Sequence, residues 1–150
     1  MESYVRNSAA LQAPRRLSFQ GPGTGVKVEA ADYRIEQLLD KIIDNALDFA
    51  LPDTAIAVAL RRERSEAVLT IRNQGPLLSE DTLASMFDSM VTRRDGTNDT
   101  KLHFGLGLYV VRVIAAHHGG SALARNLPDG SGVEIEVRLP LAQRLRGNTR

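Results

Sequence analysis

The sequence predicts an α+β domain, a two-layer sandwich in which about three helices cover one face of a mixed, mostly antiparallel sheet. Three observations favour this class. Stretches that alternate apolar and polar residues are interspersed with stretches of helical periodicity, in the order β-β-α-β-β-α-loop-α-β-β. Turn residues separate the strands in pairs, as they do in hairpins. The length of 150 residues is that of one domain.

The first part of the chain alternates in the manner of two short strands and then changes to a helical pattern. Residues 17–20 and 26–29 flank the turn-rich segment 21–25, which predicts a hairpin. Asp32 is a candidate helix cap, and Pro52-Asp53 is a helix stop. Between them the apolar residues recur at three- and four-residue steps: Ile35, Leu38, Leu39, Ile42, Ile43, Ala46 and Phe49.

The rest of the chain carries two more pairs of strands and two more helices. The strands are predicted at 55–61 and 67–72, and at 121–125 and 133–139. Ser79 is the candidate cap of a short helix, whose inward residues are Leu83, Met86 and Phe87. A longer helix is predicted over 109–118, with Gly119-Gly120 as its stop. The polar segment 88–104 reads as a long loop, and such loops are usually functional or mobile.

Composition excludes several classes of protein. Nineteen Lys and Arg against 18 Asp and Glu give a net charge of +1, which argues against a dedicated nucleic-acid-binding module. The absence of cysteine excludes disulfides and thiolate metal sites and fits a reducing compartment. No apolar run approaches the roughly 20 residues that cross a bilayer, and the first 14 residues lack the apolar stretch of a signal peptide.

Asn45 is the first candidate for a functional side chain, because it stands inside an apolar helix. On the helical wheel it shares a face with Lys41 and Asp48, beside the apolar stripe. One interpretation is an ordinary solvated polar face. The other is an amide oxygen that points into a cleft and holds a hard cation such as Mg²⁺.

Two glycine-containing motifs and a group of loop cations are the other candidates. Asn73-Gln74-Gly75-Pro76 ends a strand, either as an ordinary turn or as a place where an amide meets a base edge. Gly105-Leu106-Gly107-Leu108 precedes a helix, where glycines permit either tight packing or an anion site on free amides. It is not a Walker A loop, since no Gly-Lys-Ser/Thr follows. The loop cations are Arg93, Arg94, Lys101 and His103.

In this order and spacing, the motifs resemble the catalytic ATP-binding domain of sensor histidine kinases, in the superfamily of DNA gyrase, Hsp90 and MutL. The resemblance covers about residues 16–140. Its N, G1, F and G2 boxes correspond to residues 40–49, 73–77, 86–90 and 105–108, and residues 130–140 are similar to the usual final strand. More narrowly, residues 39–49 and 87–91 look like the kinase of proteobacterial dedicated sortase systems. The resemblance implies a Bergerat fold with a mobile ATP lid over residues 88–104.

The resemblance also implies ATP and Mg²⁺ as cofactors, and a role for each matching residue. Asn45 is expected to hold Mg²⁺ against the phosphates, and Asn73 to face the adenine amino group with room made by Gly75. Because phosphoryl transfer depends chiefly on positioning and charge neutralisation, the residues expected to assist it are Asn45, Lys41, Arg94 and Lys101. The residues expected to contact the nucleotide are Asn45, Asp48, Asn73, Gly75, Leu77, Phe87, Arg93, His103, Gly105, Leu106, Gly107 and Leu108.

The sequence departs from the family pattern at four of these positions. Asn73 stands in place of the usual G1 aspartate, and a neutral amide accepts a weaker hydrogen bond than a carboxylate does. Leu77 replaces the second G1 glycine. Lys41 replaces an N-box polar residue, and Asp48 stands where a cation is common, so the two conserve the charge of the cleft. Weak or moderate ATP affinity is therefore expected.

The expected domain organisation is an upstream segment over 1–14 that comes from a dimerisation region, the catalytic domain over 15–140 and a basic tail over 141–150. The histidines are His103, His117 and His118, and none has the helical context of a phosphoacceptor. The acceptor is thus expected on a separate dimerisation domain, through which a response regulator is served. The domain is expected in the cytoplasm, with its parent protein in the bacterial inner membrane and no membrane or nucleic-acid contact of its own.

Two alternatives remain open. One is a serine kinase of the anti-sigma-factor type, which binds a protein partner. The other is a degenerate nucleotide-binding scaffold, supported by Asn73, Leu77 and Lys41. A gyrase- or MutL-type clamp is disfavoured, because 150 residues leave no room for a transducer domain.

Overall fold

The computed structural model describes residues 17–21, 26, 28, 32–88 and 100–142, with the backbone alone for residues 32 and 100–106. Along the chain, the strands and helices are β1 (Leu17–Gln20), α1 (Asp32–Phe49), β2 (Ile56–Glu63), β3 (Glu66–Gln74), α2 (Glu80–Ser85), α3 (Thr100–His117), β4 (Ser121–Asn126) and β5 (Gly132–Pro140).

The sheet has five strands in the order β1-β2-β3-β5-β4. β1 lies parallel to β2, and the three other pairs are antiparallel. The predicted mixed, mostly antiparallel sheet is therefore confirmed. The central strands β3 and β5 pair along their length, from Glu66 opposite Pro140 to Gln74 opposite Gly132. The last residues of β3 and the first residues of β5 therefore lie side by side at one end of the strands.

The hydrophobic core lies between the sheet and the helices α1 and α3. The apolar stripe predicted for α1 faces the core from Ile35 to Ala46, and Phe49 at its end is half-buried. Opposite it, alternate residues of the strands point to the same layer. They are Ile56, Val58, Leu60, Ala67, Leu69, Ile71, Ile135, Val137 and Leu139. The apolar residues that recur every two positions in the strands and about every 3.6 positions in the helix thus pack into one core.

Several local signals act as the sequence predicts. The Ser79 hydroxyl accepts a hydrogen bond from the Thr82 amide at 3.2 Å and caps α2. Gly119 has φ +75°, and its amide donates to the Ala116 carbonyl at 3.0 Å, which ends α3. Left-handed φ values are costly for residues with a Cβ, so glycine is the residue expected at this position.

Two expectations are wrong. Among the described residues, the predicted hairpin of residues 17–20 with 26–29 is replaced by two separate pairings: β1 pairs with β2 in parallel, and Val28 forms an isolated bridge with Leu141. Alternation predicts strands but not their partners, and here the partners lie across the fold. The loop predicted to reach residue 104 also ends earlier, because α3 begins at Thr100. Gly105 and Gly107 therefore lie within a helix instead of before one.

The face of the sheet away from the helices carries ion pairs. The Glu134 carboxylate is 0% exposed and accepts hydrogen bonds from the guanidinium groups of Arg72 and Arg125. Burial alone would raise the pKa of Glu134, but these two arginines outweigh it and hold the pKa below its ordinary value. These ion pairs join β3, β5 and β4 on the face of the sheet opposite the helices, near the end of β3 and the start of β5.

Within the part of the chain that the structure describes, no helix combines the length and the apolar character needed to cross a membrane.

Candidate functional site

A small cavity lies between the C-terminal half of α1, the adjoining ends of β3 and β5, and the segment that leads into α2. Its volume is about 30 Å³, and its lining consists of Asn45, Phe49, Asn73, Pro76, Leu78, Met86 and Val133. The side chains of Asn45 and Asn73 are the polar members of this lining. A mostly apolar hollow with a few convergent polar groups is the usual character of a ligand site.

Asn45 lies on α1 at the margin of the buried stripe and is only 9% exposed, whereas Lys41 and Asp48 are exposed. The interpretation of Asn45 as part of a solvated face is therefore wrong. An amide that lines a cavity has an oxygen that can accept from, or coordinate, a ligand there.

Acidic residues follow one another along α1 beside Asn45, at positions 40, 44 and 48. The pKa of Asp44 is raised, first by partial burial and then by the charge of Asp40, with a smaller contribution from Asp48 against the opposing effect of Lys41. Four-residue spacing places these carboxylates on one side of the helix, where like charges repel. The surface next to Asn45 therefore favours a cation.

Asn73 lies near the end of β3, opposite Val133 of β5, and is 7% exposed. The hydrophobic alternation of β3 places it on the helix-covered face, in line with Leu69 and Ile71. The two predicted amides thus come from different elements, 28 positions apart in sequence, and line one cavity.

Gly75 lies against the end of α1. A Cβ at Gly75 would stand 2.9 Å from the backbone oxygen of Phe49 and 3.5 Å from Nδ2 of Asn73. The Leu51 amide also donates to the Gln74 carbonyl at 2.8 Å. The glycine is therefore needed for the close approach of α1 and β3, a packing role in addition to the predicted contact with a base.

Gly107 lies in α3 and faces α1. A Cβ at this position would meet Cδ of Lys41 at 3.8 Å and Cβ of Lys41 at 3.9 Å. The neighbouring Leu108 side chain is fully buried in the core. The structure thus brings the predicted Lys41 next to the predicted glycine motif.

Other predicted residues do not line the cavity or lie outside the described part. Leu77 is 50% exposed, and Phe87 is buried in the hydrophobic core beside Met86. Arg93 and Arg94 lie outside the described residues, as do the side chains of Lys101, His103 and Leu106, and Gly105 is described by its backbone alone.

Sequence reasoning missed part of the lining and one structural glycine. Phe49, Pro76, Leu78 and Val133 line the cavity, but their apolar character is that of ordinary core or turn residues. At Gly132, a Cβ would lie 1.9 Å from the backbone oxygen of Asn73, so only glycine permits β5 to run beside Asn73. The sequence shows a turn at Gly130-Ser131-Gly132. It gives no sign that the second glycine is required by a close backbone contact and the first is not.

Comparison with known proteins gives relatives over most of the chain. Sensor protein ChvG of Agrobacterium fabrum is 31% identical over 123 residues, which are 81% of this chain and 21% of that protein. Sensor protein DltS of Streptococcus agalactiae serotype V is 31% identical over 116 residues, which are 77% of this chain and 29% of that protein. The chain therefore spans less than a third of either relative.

Solved structures show the same fold. The nucleotide-free catalytic domain of the histidine kinase ThkA superposes with a TM-score of 0.78 at 22% identity, over 94% of each chain. This confirms the expected architecture. Residues 30–143 match the sequence family of histidine kinase-, DNA gyrase B- and HSP90-like ATPases. The chain belongs to this family of ATPases, and the predicted likeness to the ATP-binding catalytic domains of sensor histidine kinases is confirmed.

Proposed function

We propose that this domain binds Mg-ATP at the Asn45–Asn73 cavity and transfers the γ-phosphoryl group to a histidine on a separate dimerisation domain of the same kinase. One observation carries the proposal: two asparagines from different elements, both nearly buried, line one hollow.

The donor groups on α1 fit a magnesium ion. Mg²⁺ prefers oxygen ligands and keeps several waters and phosphate oxygens in its coordination sphere, so one protein oxygen is enough to hold it on a nucleotide. The Asn45 amide supplies that oxygen, and the carboxylates of residues 40, 44 and 48 add negative charge beside it. The bound ion would neutralise charge on the transferred phosphoryl group.

Asn73 is proposed to face the adenine, with its amide as partner of the base edge. The neutral amide makes this contact weaker than a carboxylate would, which supports weak or moderate affinity.

The phosphoacceptor is proposed to lie on another domain. His118 is occupied by a hydrogen bond between its Nδ1 and the Ile114 carbonyl at 2.7 Å, and the rings of His117 and His118 meet edge to face at the end of α3. Helix ends of this kind use histidine as a cap. We further propose a response regulator as the final acceptor and the bacterial inner membrane as the site of the parent protein, with this domain on the cytoplasmic side. The narrower likeness to dedicated sortase systems stays a prediction.

Calorimetry with a nonhydrolysable ATP analogue and Mg²⁺ tests the nucleotide site. In Asn45→Ala we expect the dissociation constant to rise by about tenfold or more, which corresponds to about 1.4 kcal/mol or more. Gln37→Ala, at an exposed position of the same helix, is the matched control and should bind as the wild type does. Failure of the wild type to bind the analogue at millimolar concentration would refute the proposal.

A degenerate scaffold is the second candidate, and the amide at Asn73 favours it. Transfer of radiolabelled phosphate from ATP to the matching dimerisation domain separates the two. The kinase should label that domain and lose the labelling in Asn45→Ala. A protein that binds ATP but never labels the acceptor domain would be a scaffold.

A further inference from the structure

We infer that Asn126 is a positioning residue, which holds the wall of the nucleotide cavity in place for the base. This inference rests on the proposed adenine contact at Asn73. Asn126 is the last residue of the edge strand β4. Its Oδ1 accepts a hydrogen bond from the Leu78 amide at 2.9 Å, and its Nδ2 donates to the Leu78 carbonyl at 2.8 Å.

The segment that Asn126 holds is the part of the cavity without regular structure. Residues 76–79 belong to neither a strand nor a helix, yet Pro76 and Leu78 line the cavity. Backbone groups outside strands and helices must find other partners when they are shielded from water. The Asn126 side chain supplies both partners of Leu78, in the way that a neighbouring strand would.

The position of Asn126 in the sheet connects its two hydrogen bonds with Leu78 to the proposed base contact at Asn73. Val133 pairs with Asn73 on one side and with Asn126 on the other, so the three residues form one row across β3, β5 and β4. Asn126 also alternates with Ala122 and Ala124, which pack on the core, so its side chain is on the helix-covered face. The amide facing the base and the amide holding the opposite wall are therefore fixed by the same sheet.

The hydrogen bonds between Asn126 and Leu78 also fix the residue that precedes the N-cap of α2. Ser79, next to Leu78, caps this helix through the Thr82 amide, and the helix ends at Ser85, directly before Met86, which lines the cavity. A shift of Leu78 would thus move two of the lining side chains together. Loss of the Asn126 side chain is expected to loosen the wall and to weaken the binding of the base, while the phosphate contacts on α1 remain.

The test compares nucleotide binding by the 150-residue chain in four forms: wild type, Asn126→Ala, Asn73→Ala and the control Ser121→Ala at the other end of β4. The ligands are Mg²⁺ with a nonhydrolysable ATP analogue, and Mg²⁺ with inorganic tripolyphosphate, which lacks the base. We expect Asn126→Ala to raise the dissociation constant of the ATP analogue about tenfold, or about 1.4 kcal/mol. Tripolyphosphate binding should stay within about twofold of the wild type, and Ser121→Ala should match the wild type with both ligands.

A role in general stability would weaken both ligands equally, and that result would overturn the inference. Wild-type affinity for the ATP analogue in a folded Asn126→Ala protein would overturn it as well, and would leave the proposed function intact if Asn73→Ala still weakens binding. An unaltered affinity in Asn73→Ala would refute the adenine contact and the positioning role together.

A second variant keeps the test decisive if Asn126→Ala does not fold. Asn126→Asp retains an oxygen that accepts from the Leu78 amide but has no amide to donate to the Leu78 carbonyl. We expect it to bind the ATP analogue more weakly than the wild type, again with tripolyphosphate binding preserved, because the Leu78 carbonyl loses its donor. Wild-type affinity of this variant for the ATP analogue would overturn the inference.

Discussion

Gly107→Ala separates the structural and the functional roles of the second glycine motif, because the two predict effects of opposite sign. Gly107 lies inside α3, and a methyl group there would meet the nearest atoms of Lys41 at 3.8–3.9 Å, an ordinary van der Waals distance. Alanine is favoured over glycine in a helix interior by about 0.8–1.0 kcal/mol. With no clash to offset this gain, the free energy of unfolding should rise by about 0.5–1 kcal/mol.

For a domain of this size, 1 kcal/mol corresponds to about 2–4 °C in the melting temperature. Thermal denaturation without ligand should therefore show an increase of about 1–4 °C for Gly107→Ala. Ala116→Gly, at an exposed position of the same helix, is the matched control and should lower the melting temperature by a similar amount.

Nucleotide binding by the same variant tests the predicted phosphate contact. If the phosphates approach the backbone at Gly107, the added methyl group obstructs them, and the dissociation constant of Mg-ATP should rise although the protein is more stable. A lower melting temperature in Gly107→Ala would refute the packing geometry between α3 and Lys41. Higher stability with unaltered affinity would refute the phosphate contact and leave the glycine with no role in binding.

Three further predictions follow from contacts of the described residues. Gly75→Ala should destabilise the fold by about 1–3 kcal/mol in urea denaturation, because its Cβ would press on the Phe49 carbonyl, a backbone atom that cannot rotate away; stability equal to the wild type would contradict this contact. Glu134→Gln should cost about 1–3 kcal/mol at neutral pH, since charge-assisted hydrogen bonds from Arg72 and Arg125 are lost. The pKa of Glu134 is lowered in the folded protein, so the wild type loses this contribution as the pH falls below 4.5 and through the lower folded value, and the two melting curves should converge there. Asp44→Asn should stabilise the protein by about 0.5 kcal/mol at neutral pH by relieving repulsion along α1. The pKa of Asp44 is raised above 3.8 in the folded protein, so the charged Asp44 destabilises the wild type fully above the raised pKa and less as the pH falls through it. A stabilisation by Asp44→Asn that persists in acid would therefore count against charge repulsion as its cause.

Periodicity predicted most of the elements because burial imposes it directly on the sequence. The α1 stripe, the alternation of β2, β3 and β5, the Ser79 cap and the Gly119 stop all come from constraints within a few neighbouring residues. The hairpin at residues 17–29 failed for the opposite reason. Strand alternation contains no information on the partner, and β1 joins the sheet through β2, almost forty positions away.

The candidate site divides in the same way. Asn45 and Asn73 were predicted from their motifs, but their meeting at one cavity depends on how α1 packs across β3. Gly75 was assigned to the ligand, whereas the structure gives it a packing contact with Phe49 as well. Leu78 and Val133 carried no signal, since an apolar residue that lines a site has the same pattern as one that fills the core.

By itself, the sequence determined the class of fold and the family of ATPases and predicted Asn45 and Asn73 as site residues, because each depends on a local pattern of residue types. Only the tertiary structure decided that Asn45 is buried instead of solvated, that Gly132 must lack a side chain beside Asn73, and that Asn126 holds Leu78 from 48 positions away. These properties arise from contacts between distant segments. The local sequence does not encode them, because the same residues could stand on a helix face or at a strand end that packs against a different neighbour.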